Sequence, residues 1–223
     1  MTGESDNQES NVFDWHDAMV AVDKALLLDR DSFDAWVQDK DNQLLISQAG
    51  MTIQELRKKY WQVRLFKLIG LFRGEIEGKQ NKSARQFVGE IITKADLPAP
   101  NWYVKALIEA DKSPHQSRKG KIATEKLKLK LKSAVYFALI KHYRNERFPV
   151  RKGTSGQLVP EIFQDADSVK IEETAAKGYR KEIVDIVGSD YFTDQSVVAM
   201  FIGLLKIDIE KVAQVLNIQK EDY

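Results

Sequence analysis

The sequence predicts an all-α fold, a multi-helix bundle able to divide into two helical subdomains, and three observations carry that prediction. Apolar residues recur at three- and four-residue spacing along most of the chain, Ser, Thr and Asp stand before those runs, and Gly or Pro stands after them. With 43% hydrophobic and 30% charged residues in 223, the chain has the make-up of a globular protein with a real core.

In order, residues 1–10 are polar and are expected to form a disordered tail. Trp15, Ala18, Met19, Val22 and Leu26 then define one face of a helix over 14–28, closed by Asp29-Arg30-Asp31-Ser32. Asp29, Asp31 and Asp34 lack the turn glycine and terminal glutamate of a calcium loop. A short helix holding Phe33, Trp36 and Val37 follows, then one over 41–49, a turn at Gly50-Met51, and a capping box, Thr52-Ile53-Gln54-Glu55, that opens a long helix to about Glu75. Helix, glycine turn and capped helix outline a helix-turn-helix in which Arg57, Lys58 and Arg64 would face a groove. Ile46 and Lys59 do not fit that motif, and a plain helical hairpin is preferred. Tyr60 to Phe72 is apolar almost all round and is expected at the centre of the core or in a dimer interface.

Ser83 is expected to cap a helix with Phe87, Val88, Ile91 and Ile92, which Asp96-Leu97-Pro98-Ala99-Pro100 stops, and Asn101 to start the next. These elements make an N-terminal subdomain over 11–110, joined by a basic hinge at 111–123 to a C-terminal subdomain over 124–223. In the latter the pattern predicts a helix over 125–144 capped by Thr124, an acidic loop from Pro160 to Asp167, a helix over 169–187 stopped by Gly188, one capped by Thr193, and a last one over 208–216. Val212 to Ile218 has the form of the first helix and turn of a helix-turn-helix. The order of basic helix, acidic linker and helical module is loosely similar to a small sigma factor. Gln219 to Tyr223 are too few and too acidic to serve as a recognition helix, and no family is assigned.

The formal net charge of +1 conceals a strong asymmetry. Residues 112–152 hold thirteen Lys or Arg against Glu125 and Glu146, a local charge of +11, while 1–55 carries −9 and 153–223 carries −6. On a helix over 125–144, Lys126, Lys130, Lys141 and Arg144 fall in one stripe, with Ser133 and Phe137 between them, opposite a Leu, Ala and Val face. Arg118, Lys119 and Lys121 precede the helix, and Arg147, Arg151 and Lys152 follow it, in turn-rich segments that a core could not absorb. Cations on one face with basic arms at both ends suit phosphate contact, so the expected function is nucleic-acid binding, DNA rather than RNA, by a regulatory or accessory factor of a bacterial or phage-like kind. The rival is a protein-interaction adaptor whose basic face docks on an acidic protein surface. A homo-oligomer is compatible with acidic ends that could meet the basic centre of another copy.

No cysteine is present, which excludes disulfides and thiolate chemistry, and His16, His115 and His142 show no metal-ligand spacing. Phosphate-loop, dinucleotide and nucleophile-elbow motifs are missing too. No catalytic residue, metal or cofactor is nominated and no enzymatic activity is expected. With no apolar leader or spanning run, a cytoplasmic location and no membrane partner are expected.

Overall fold

The computed structural model describes residues 15–112, 118–146 and 150–218, and the side chains of all of these except 112–122. Among the described residues the chain forms twelve α-helices and no strand, an all-α multi-helix bundle. No helix among them is long and apolar enough to cross a membrane. The chain divides into two compact units between Val63 and Arg64.

The first unit contains α1 (Trp15–Ala25), α2 (Arg30–Gln38), α3 (Lys40–Gln48) and the first part of α4 (Ile53–Gly70). Ala18, Val22, Phe33, Val37, Ile46, Leu56 and Tyr60 make its core. Phe33 and Tyr60 stack with ring centroids 4.0 Å apart, and the Tyr60 hydroxyl donates to the Leu28 carbonyl. The aspartates near 29 act as caps: Asp29 accepts from the Ser32 amide at 3.0 Å, and Asp39 accepts from the amides of Asp41 and Asn42. Gly50 takes φ +72°, which a side chain would strain, and the predicted capping box follows it. The Glu55 amide donates to Thr52 Oγ1 at 3.2 Å and the Thr52 amide donates to Glu55 Oε2 at 2.7 Å. The Thr52 amide and, at 2.8 Å, the Thr52 hydroxyl both donate to the Glu55 carboxyl and hold its pKa below the usual value.

The second unit begins with the rest of α4, which ends at Gly70 rather than near Glu75; α5 (Arg73–Glu77) follows as a separate short piece. Next come α6 (Lys82–Lys94), α7 (Asn101–Lys112), α8 (Arg118–Asn145), α9 (Ser155–Asp167), α10 (Glu173–Val187), a 3₁₀ turn over Tyr191–Thr193, α11 (Gln195–Leu205) and α12 (Ile209–Leu216). The cap of α6 is Asn81, not Ser83: its Oδ1 accepts from Ser83 and Ala84 amides while its amide donates to Thr124 Oγ1 at 2.6 Å. Thr124 is therefore a buried residue inside α8, not the cap of a shorter helix. Residues 118–123, read from the sequence as part of a hinge, are the first turns of α8. Both α5 and α6 pack against α8, so the expected boundary at 111–123 lies within one unit.

The segment 160–167, expected as an acidic loop, is helical in α9 with Pro160 inside it. A proline in a helix interior costs about 3 kcal/mol, here by depriving the Gly156 carbonyl of its amide partner. Leu158, Val159, Ile162 and Phe163 are all fully buried, each worth about 1.5–3 kcal/mol, and their sum outweighs the loss. A reciprocal capping box between Thr154 and Gln157 starts the helix. Asp194, rather than Thr193, caps α11. Gly188 ends α10 at φ +91°, as expected, and Asp208 caps α12.

Candidate nucleic-acid interface

At 28 residues, about 42 Å, α8 is the longest helix and the centre of the second unit. Leu131, Ser133, Ala134, Val135, Tyr136, Leu139 and Ile140 are all buried, so its middle is enclosed on every side. The sequence places Ser133 and Phe137 within a cationic stripe; in the structure that line is where α10 packs. Ser133 Oγ donates to the Ala176 carbonyl at 2.8 Å, and the Arg180 guanidinium stands 5.2 Å from the Phe137 ring centroid. The stripe is consequently interrupted between its ends.

The cations near the interruption are held by the protein's own acids. Lys130 pairs with Glu182 on α10, and Lys132 pairs with Asp167 on α9; the two lysine side chains are only 16% and 17% exposed. Asp167 also accepts from the Tyr136 hydroxyl at 2.6 Å, and burial together with this bond raises the phenol pKa. Lys128 reaches Glu125 at 3.3 Å and lies over the Phe87 ring. Arg64 is not groove-facing: it is buried in the second unit, where it meets Asp190 at 2.6 Å. Arg57 is exposed in the first unit and bound to Asp34, and Lys58 is exposed in that unit too.

Lys126, Lys141, Arg144, Arg151 and Lys152 are exposed. Arg118, Lys119 and Lys121 belong to the first turns of α8, with side chains outside the described residues, as Arg147 is entirely.

The C-terminal end of α8 gathers most of these. Arg144 donates to the Gly153 carbonyl and, at 3.4 Å, to Ser155 Oγ, which ties the helix end to the start of α9. Arg151 is fixed twice: its amide donates to the Leu216 carbonyl at 2.9 Å, and its guanidinium meets Glu161 at 2.5 Å. Gly156 lies so close to α10 that a Cβ there would come 2.5 Å from Lys177 Cε. Lys177, Arg180 and Lys181 on α10 are exposed, and Lys141 follows Phe137, which Arg180 covers, by one turn. Exposed Lys141 and Arg144 on α8 and Lys177 and Arg180 on α10 thus lie on two helices that pack against each other. Glu173 pairs with Lys177 at 2.6 Å in an exposed contact of small net value.

The sequence reading missed the three cations of α10. They stand in the run Lys177-Gly178-Tyr179-Arg180-Lys181, whose local charge vanished when averaged over an acidic C-terminal region. Among the described residues no group of three or more His, Asp or Glu is placed to hold a metal ion. No protein-family model, curated protein or solved structure matches the chain, so its own side chains carry the functional reading.

Proposed function

We propose that the protein binds nucleic acid, DNA in preference to RNA, as a regulatory or accessory factor without enzymatic activity of its own. The observation that supports this reading is that two packed helices both present exposed cations, Lys141 and Arg144 on α8 and Lys177 and Arg180 on α10, with exposed Arg151 and Lys152 following α8. The mode is phosphate contact: rigid helices fix the spacing of the cations, and each phosphate neutralised releases a condensed counterion.

Fluorescence anisotropy of the full chain with duplex DNA, single-stranded RNA and anionic vesicles over a salt series tests it. Duplex DNA should bind most tightly, with a steep salt dependence. The combined variant Lys141→Ala/Arg144→Ala/Lys177→Ala/Arg180→Ala should flatten the slope of log K against log salt by about 3 to 4, at about 0.9 per lost phosphate contact. No DNA binding near physiological salt, or an unchanged slope in the variant, would sink the proposal.

A protein-interaction adaptor is the second reading, favoured by one specific observation. Carboxylates from α9 and α10 already recognise Lys132 and Lys130 on this helix, so an acidic protein surface would use the same chemistry on the remaining cations.

A further inference from the structure

The other side of the α8 end is apolar. A cleft of about 500 Å³ opens between the last turns of α8, the 3₁₀ turn, α11 and the first residue of α12. Leu139, Tyr143, Phe192, Val198, Ala199 and Ile202 form its walls. Its volume lies in the range of small-molecule sites, about 300–1,000 Å³.

The sequence of α11 gives an independent reason for a covering group there. Gln195–Leu205 has no charged side chain, and Val197, Phe201, Leu204 and Leu205 bury one face in the core. The opposite side, Val198, Ala199 and Ile202, is equally apolar but only partly buried or exposed, and it is this side that lines the cleft. A helix apolar on all sides is stable in water when all sides are covered.

The polar groups of the lining define what would cover it. They are His142, the Tyr143 hydroxyl, Glu146, Thr193 and Gln195, so the one acidic side chain in the lining is a carboxylate and no Lys or Arg is among them. Glu146 is exposed. An anion would be repelled by it. An aromatic or aliphatic body would fill the walls, and a cationic head would meet Glu146.

We propose that this cleft is a binding site for a small amphipathic organic cation, an apolar ring or chain carrying an ammonium group. The site is independent of the nucleic-acid reading, since it uses the opposite side of α8 and none of the phosphate-contacting cations.

The probe is tryptamine, with indole-3-propionate as a carboxylate of similar shape, titrated into the isotopically labelled full chain and followed by NMR. Tryptamine should shift the amide signals of residues around Phe192 and Ala199 with a Kd at or below about 1 mM, and the carboxylate should bind at least about tenfold more weakly. Glu146→Gln should reduce that preference to less than about threefold, and Ala199→Trp, which fills the cleft from an exposed position, should abolish binding of both. Shift mapping on the unaltered chain keeps the test decisive even if Ala199→Trp perturbs the fold. Absence of shifts at the cleft, equal affinity for the two probes, or a preference unchanged by Glu146→Gln each overturns the proposal.

Discussion

Lys132 and Lys141 belong to the same helix and carry the same charge, yet one is built into the fold and the other stands in solvent. Lys132 lies where α9 crosses α8 and meets Asp167, which Tyr136 also binds. Lys141, further along the helix, is exposed. The difference teaches that a cation count along a basic helix measures what the helix carries, not what it presents. What it presents depends on which later helices bring carboxylates back to it.

Removing the acid rather than the lysine gives the largest expected effect. Asp167→Ala leaves a half-buried ammonium and a buried phenol without their partner, and should destabilise the second unit by about 3–5 kcal/mol. Lys141→Ala should stay within about 0.5 kcal/mol of the parent. Urea unfolding of both variants measures the contrast, and similar losses for the two would erase it.

Alkaline titration sharpens the same comparison by a smaller effect. Burial and the bond to Asp167 raise the Tyr136 pKa above its ordinary 10.0, so the folded state holds the phenolic proton longer than the unfolded chain. The resulting stabilisation is complete below pH about 10 and is lost as pH rises toward the folded value. Tyr136→Phe should therefore weaken the decline of unfolding free energy between neutral pH and pH about 11. An equally steep decline in both proteins would show that the phenol is not involved.

Least of all is expected from Glu125→Gln, which breaks the exposed contact to Lys128. Its cost should be below about 0.5 kcal/mol and should vanish in high salt, as read by thermal unfolding with and without added salt. A loss above about 1 kcal/mol would place this pair with Lys132 rather than with Lys141.

Much of the fold was legible because local chemistry and global packing agree over most of the chain. Thr52 and Glu55 form the reciprocal cap their spacing announced, Gly188 ends α10, and the apolar faces of α1, α6 and α12 are the buried ones. Reading failed where a local signal competed with tertiary burial. Pro160 and the acids around it suggested a loop, but four buried apolar side chains hold that segment helical. Thr124 resembled a cap because a Thr before an acid often is one; its hydroxyl instead accepts from Asn81, a partner that spacing along the chain does not announce.

The exposure of the basic side chains was legible in part, for a related reason. Exposed Lys141, Arg144, Arg151 and Lys152 were all named from the sequence, but so were Lys130 and Arg64, which pair with Glu182 and Asp190. Helical geometry places Ser133 and Phe137 on the cationic line, and a hydroxyl and an aromatic ring there fit a contact with another helix as well as a gap between lysines. Only the packed structure shows that α10 occupies the line and brings its own cations with it.

The bond from the Arg151 amide to the Leu216 carbonyl joins two segments of the main chain. Any amino acid except proline supplies the same donor, so the excursion through α9, α10, α11 and α12 stays latched to its starting point whichever side chain stands at 151. Charge at position 151 is thereby free to be retuned, by selection or by an engineer, without removing the main-chain closure beneath it.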